Sequence, residues 1–399
     1  MKVIAFFEAI YFAVYCFFGS YLNLPDKRVN ALIEQNGGFI YGVCHPNEDY
    51  DLLAEAGLQW VRFDIPYPYE RDGSLSRNYL AFKERAQGYT DRGFKVMAVT
   101  PYPRDYINIG GFHPVENAEK TQEIAVFLYN DLKDITAAFQ ITNEMGLEGF
   151  MSPLTLEEAA VFIGVQLEAL NRVTENFPIG YNSADISKNL HKLMKPYLQY
   201  CDYVGLDLYT GNQGKAKASA YADKVKELYR LTRKPIIMTE FGYWSEGGPK
   251  SPEQKAEILG CYGYTSEAEA IADGENFIAK LPRQFQQRLR DLYPDDEAHW
   301  AELVFSREYQ HFYGETAAET LEDIPHTPEG QAQYYRRVIP ELQKLKCLAG
   351  LIIYCCQDMP YCYVCGHSWC PFETKWGLLY PDGTPKPAYY AVKELVTGM

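Results

Sequence analysis

The sequence predicts a (β/α)8 barrel, and three observations predict it. Eight short apolar runs recur along the chain, helical stretches separate them, and the runs are continuously apolar rather than alternating. A strand buried on both faces of a parallel sheet reads as such a continuous run, whereas a half-exposed strand alternates. Eight units in order close a barrel near Cys356, with a last helix over 385–396.

The runs are 38–44 (GFIYGVC), 59–65 (QWVRFDI), 94–100 (FKVMAVT), 138–144 (AFQITNE), 178–182 (PIGYN), 203–209 (YVGLDLY), 235–241 (PIIMTEF) and 350–356 (GLIIYCC). Helical signals fill 78–92, 155–176, 187–198, 217–233 and 330–346. Thr155 followed by Glu158 makes a capping box at the head of the second of these. A doubly wound sheet is the alternative, but Tyr41 to Pro46, after the first run, is no glycine-rich phosphate loop.

Two segments stand outside the repeat. Residues 1–37 form a lead-in whose positions 3–20 are nearly all apolar. They are expected to dock as a helix on the fold; the alternative is a signal sequence or membrane anchor. Glu8 inside the run and the single Lys2 before it favour docking. The catalytic barrel is expected over 38–399, with an insertion at 244–328 that holds charged, helix-like stretches at 253–259 and 276–293. Rising from the C-terminal face, it is a candidate lid or subsite wall, or else a solvent-facing or dimerising appendage.

Composition narrows the function. Of 399 residues 47% are hydrophobic and 23% charged, which excludes disorder. A net charge of −15 repels phosphate backbones and argues against a nucleic-acid partner. The ten cysteines are scattered until the last fifth of the chain, unlike a disulfide framework, so a cytoplasmic location is expected. Export or membrane anchoring through 3–20 is the alternative.

Strand ends are where a barrel keeps its chemistry. They carry Arg62 and Asp64, Asn143 and Glu144, Asn182, Asp207 and Tyr209, and Glu240. Of seven histidines only His45 lies near one, so no catalytic metal or other cofactor is expected. Two glutamates facing across one barrel mouth suit glycosidic bond cleavage, which needs one carboxyl to protonate the leaving oxygen and another to attack or stabilise the sugar.

Phe139-Gln140-Ile141-Thr142-Asn143-Glu144 and Ile237-Met238-Thr239-Glu240-Phe241-Gly242 resemble the paired signatures of glycoside hydrolase clan A. The resemblance covers about 38–244 and 328–396, and the stretch from Lys375 to Tyr390 also resembles the end of many clan members. It implies Glu144 as general acid/base, Glu240 as nucleophile and Asn143 as a ligand of the sugar 2-hydroxyl. It likewise implies Arg62 and Tyr209 as groups that steady the nucleophile. The chain departs from the clan at the end of strand eight, where Tyr354-Cys355-Cys356-Gln357-Asp358 replaces the usual Trp, and at Asp207, where several members have His.

Asp64, Asp207 and Gln357 are therefore candidate ligands of sugar hydroxyls. Among the aromatics that follow strand ends (Tyr67, Tyr69, Tyr102, Tyr106, Tyr243, Trp244, Tyr361 and Trp369), Trp244 is the best candidate for a sugar platform. Cys362-x-x-Cys365-x-His367-x-x-Cys370 offers four possible metal ligands, with packed thiols or a disulfide as alternatives. The function expected is a retaining hydrolase of β-linked hexosides or oligosaccharides, a carbohydrate being the partner. Its alternatives are a catalytically silent sugar-binding barrel and a transglycosylase using the same residues.

Overall fold

The computed structural model describes residues 26–306 and 310–398. Eight parallel strands close a barrel in sequence order: β1 (Ile40–Cys44), β2 (Trp60–Asp64), β3 (Lys95–Val99), β4 (Ala138–Ile141), β5 (Ile179–Ala184), β6 (Tyr203–Leu208), β7 (Ile236–Phe241) and β8 (Leu348–Ile353). Ile40 pairs with Gly350 at the closing seam. Six of the expected runs match their strands to within two residues at each end; β8 is shifted to Leu348–Ile353 and ends three residues before Cys356, and β4 stops at Ile141 instead of reaching Glu144. There Thr142 and Glu144 take left-handed φ values of 52° and 47°, which no strand accommodates.

Helices cover the barrel with the face their spacing predicts. In Arg77–Thr90 the buried residues are Tyr79, Phe82, Ala86 and Tyr89, one stripe of a 3.6-residue period. Ser76 starts that helix by accepting the Tyr79 N–H at 3.1 Å. The capping box forms as read: Thr155 Oγ1 accepts from the Glu158 N–H and Glu158 returns the bond to the Thr155 N–H. Helix Ala118–Leu132, between β3 and β4, went unread, although Thr121, Ile124, Ala125, Leu128, Tyr129 and Leu132 mark its buried face clearly. The stretch expected over 187–198 divides into an α-helix, Lys188–Met194, and a 3-10 turn, Lys195–Tyr200, at Pro196, which has no N–H to give the α ladder.

Helix Lys27–Gln35 seats Val29 and Leu32 in the cluster of Ile40, Trp60, Met97, Ala138 and Tyr203 that fills the barrel axis. The apolar segment 3–20 lies outside the described residues. Among the described residues no helix is long and apolar enough to cross a membrane.

After β7 the chain builds a helical layer: Pro252–Cys261, Glu267–Ala272, Gly274–Lys280, Arg283–Leu292 and Trp300–Val304. The stretch read as one helix over 276–293 is broken at Pro282, and Leu281 before it is extended, as a residue preceding proline prefers. This layer has its own core, in which Phe277, Phe285, Leu289 and Phe312 pack with Cys362, Cys365 and Cys370 of the loop that follows β8.

Candidate active site

Side chains from the ends of β2, β4, β5, β6 and β7 meet in one hydrogen-bonded group. Arg62 on β2 is only 2% exposed and points its guanidinium inward. It donates to Glu240 Oε1 at 2.6 Å, to Asn143 Oδ1 at 2.7 Å and to Gln140 Oε1 at 3.0 Å. Glu240, at the end of β7, receives a second bond on Oε2 from the Tyr209 hydroxyl at 2.5 Å. Both its oxygens thus meet donors, one borne by a permanent cation, and this fixes the plane of the carboxylate.

Asn143 Oδ1 is a second junction. Besides Arg62, Asn182 Nδ2 reaches it at 2.6 Å and Gln140 Nε2 at 3.2 Å. With its oxygen held by three donors, the planar amide must turn Nδ2 the other way. The neighbouring backbone is strained, since left-handed non-glycine residues such as Thr142 and Glu144 cost roughly 1–3 kcal/mol each. Side chains hold it there: Thr100 Oγ1 accepts the Thr142 N–H at 3.0 Å and Asn182 Oδ1 accepts the Glu144 N–H at 2.8 Å.

One carboxylate oxygen from each of Glu144, Asp207 and Glu240 lies within 4.8 Å of the other two. Burial, reinforced by the charge of Glu240, pushes the Glu144 carboxyl up to about 8. Asp207 is buried deeper and is also shifted upward, first by burial and then by Glu240. It accepts from Thr239 Oγ1 at 2.6 Å and Asn182 Nδ2 at 2.5 Å. An irregularity between Leu206 and Asp207 sets Asp207 opposite Glu240 in the sheet. Gly205 makes room for this contact, because a Cβ there would fall 2.6 Å from both Asn182 and Thr239.

The remaining sequence candidates fall elsewhere. Asp64 is exposed at the end of β2, with the Tyr102 hydroxyl 3.4 Å from it. Gln357 ties loops together: its Oε1 accepts from Asn47 at 2.6 Å and its Nε2 donates to the Pro381 carbonyl at 2.8 Å. Trp244 is 2% exposed and wedged against Phe372, Trp376 and His326, so it has no free face to offer as a platform. Tyr67, Tyr106 and Tyr243 are likewise interior. Trp376 packs instead against Tyr209, the residue bonded to Glu240: its ring centre lies 4.8 Å from Tyr209 and 5.7 Å from Tyr354. Trp376 arrives from the chain's closing stretch, well past β8, where no strand-end rule points.

Glu373 is the other group that sequence reasoning missed. It accepts from the Tyr354 hydroxyl at 3.3 Å, and burial pushes its carboxyl up to about 8. Asn182 is a strand-end residue and Gln140 lies inside the strand-four motif, but nothing in the sequence marks either as a brace of Asn143. A cavity of about 690 Å3 opens among the segments that follow β2 and β3, lined by Tyr67, Tyr69, Arg71, Ile107 and Lys120. None of the clustered carboxylates lines it.

Two groups among the described residues have donors close enough to hold a metal. In the first, the three carboxylates, Arg62 already supplies a positive charge to Glu240. The second is His311 with Cys362, Cys365 and Cys370. His311 takes the place expected for His367, which instead stacks on Trp369 at 4.4 Å and meets the Tyr262 hydroxyl at 2.6 Å.

No protein-family model and no curated protein matches this chain. Solved structures do. A GH53 catalytic domain from Ignisphaera aggregans aligns with a TM-score of 0.53 and 17% identity over 91% of this chain and 92% of its own. An exo-β-1,4-mannosidase from Opitutaceae bacterium strain TAV5 aligns with a TM-score of 0.53 and 14% identity, over 90% of this chain and 59% of its own. A β-glucuronidase from an uncultured Clostridium species gives 0.51 and 15%, over 90% of this chain and 50% of its own. The barrel is the fold these glycoside hydrolases share. At such identities the likeness is one of architecture.

Proposed function

We propose that this protein is a retaining glycoside hydrolase of β-linked hexosides or oligosaccharides, with Glu240 as nucleophile and Glu144 as general acid/base. The observation that carries the reading is the contrast between two carboxyls, one oxygen of each lying within 4.8 Å of the other. Glu240 is gripped by Arg62 and Tyr209, whereas burial and the Glu240 charge push Glu144 up to about 8. Direct attack requires carboxyl groups about 5–5.5 Å apart, and the inverting route needs about 6.5–9.5 Å to admit a water between them. The spacing favours direct attack.

In this mechanism Glu144 donates its proton to the leaving oxygen as a Glu240 oxygen bonds to the anomeric carbon and the glycosidic C–O bond breaks. Forming the ester neutralises Glu240. The share of the Glu144 shift that the Glu240 charge supplied is then gone, burial supplying the rest, and the Glu144 carboxylate takes a proton from the incoming water, which releases the sugar and restores both groups. Asn143, its oxygen pinned by three donors, is left with Nδ2 to offer the 2-hydroxyl of the sugar.

A panel of 2-fluoro β-glycosides followed by peptide mass spectrometry tests the reading. The expected result is a glycosyl adduct on Glu240, with the fastest-labelling sugar naming the preferred glycone. An adduct on another residue, or no adduct from any sugar that the enzyme hydrolyses, would overturn it. A sugar that binds without being cleaved points instead to a silent binding barrel. Transfer to an added sugar acceptor at the expense of hydrolysis identifies a transglycosylase.

A further inference from the structure

We propose that His311, Cys362, Cys365 and Cys370 form a structural zinc site that fastens the insertion to the loop after β8. One donor atom of each lies within 4.8 Å of the others. Nδ1 of His311 is 3.4 Å from Cys370 Sγ and 4.0 Å from Cys362 Sγ. Tetrahedral zinc with Zn–S of about 2.3 Å and Zn–N of about 2.0–2.1 Å sets its ligand atoms roughly 3.6–3.8 Å apart, and the observed spacings bracket that value.

The surroundings are those of a closed site. All three cysteines are fully buried, and none is in a disulfide. The loop is shaped to present Cys362 and Cys365 together: the Cys362 N–H donates to the His367 carbonyl at 3.0 Å, and the Gly366 N–H to the Cys362 carbonyl at 2.7 Å. Gly366 has a φ of +76°, and a Cβ there would lie 2.5 Å from Pro282 of the insertion, so the turn requires glycine on two counts. Three thiolates and an imidazole are soft and borderline donors that suit zinc and not magnesium or calcium.

Binding balances simply. Three thiols lose their protons to solvent, the neutral imidazole keeps one, and the divalent ion with three thiolates leaves the site with one negative charge. The clamp has a consequence at the barrel mouth. Cys370 directly precedes the short helix Pro371–Thr374, which carries Glu373 and leads to Trp376. The ion would therefore fix the segment that brings Glu373 within reach of Glu144 and sets Trp376 against Tyr209.

Metal analysis of the full chain, purified without chelator, tests this. The expected content is about one zinc per chain, lost in His311→Ala, Cys362→Ser and Cys370→Ser and kept in Cys261→Ser, whose thiol is exposed. His367→Asn should also keep it. Because a ligand variant can lose zinc by misfolding, the wild-type protein supplies a second readout. Exchanged with cobalt(II), it should show thiolate-to-cobalt charge-transfer bands and the intense visible absorption of a tetrahedral site. A wild-type chain that carries no zinc and takes up no cobalt would refute the proposal. So would zinc held in full by Cys370→Ser or His311→Ala, or a disulfide between two of the three cysteines.

Discussion

The barrel mouth and the seam between the insertion and the loop after β8 are both polar clusters closed by contacts distant in sequence, yet they are held differently. At the mouth the partners stand on five strand ends, and Arg62 binds Glu240, Asn143 and Gln140 at once through directed bonds. At the seam three cysteines from one loop meet a histidine some fifty residues earlier, amid the aromatic rings of Phe312 and Phe372. The mouth is positioned by the sheet; at the seam the proposed zinc would be the ligand common to its four groups. The first arrangement is suited to holding charges apart at defined positions, the second to holding two segments together.

Removing charge at the mouth should have the largest effect. In the proposed mechanism Glu240→Gln removes the attacking carboxylate while keeping the side chain's shape, and kcat should fall by about 10⁴-fold or more, as when other enzymes lose a nucleophile. Glu144→Gln should lose about 10²–10⁴-fold, the usual contribution of a general acid or base. The second loss should be smaller on aryl glycosides, whose leaving groups need little protonation. Equal losses on aryl and alkyl glycosides would break the assignment of Glu144 as the proton donor.

Arg62→Met comes next, and it tests whether the mouth is held by charge. The substitution strands Glu240 without its cation in a buried site, and breaking such a pair costs about 3–5 kcal/mol. Urea unfolding measures that loss. Unfolding followed at Trp300, in the insertion's own core, should show the seam unaffected until the barrel itself melts. Chelation of zinc should give the opposite pattern, loosening the insertion first and leaving the barrel folded. If both treatments melt the chain in one identical transition, the two regions are a single cooperative unit and the contrast between them fails.

The two regions also differ in how far the sequence reveals them. Strand ends could be read because continuous apolar runs mark β1 to β8 and a barrel puts function at their C-terminal ends; Arg62, Asn143, Glu144, Tyr209 and Glu240 came from that rule together with a family resemblance. What strand periodicity does not encode went unread. Trp376 and Glu373 reach the mouth from a loop whose path depends on the insertion. His311 replaces His367 because spacing along one loop cannot show that a second segment folds over it. Trp244 differs from its expectation for a related reason: it follows a strand end, but Phe372 and Trp376, from beyond β8, pack against it and bury it. Local pattern locates side chains along the chain. It does not say which of them a later segment will bury.

The smallest expected effect falls where the two regions touch. Glu144 and Glu373 are each pushed up to about 8, chiefly by burial, and the charge of Glu373 contributes to the upward shift of Glu144. Glu144 must be protonated to act as an acid, so kcat/KM should hold below about 8 and fall as pH rises through it. With both carboxyls titrating in one range, the descent should be broad, since losing either proton makes losing the other harder. Glu373→Gln removes that mutual repulsion. Glu144 then releases its proton more readily, and the basic limb should move to lower pH by less than about one unit and become a single clean ionisation. An unmoved, equally broad limb would mean that Glu373 does not sense Glu144, and that the segment leading out of the seam contributes shape to the mouth without contributing charge.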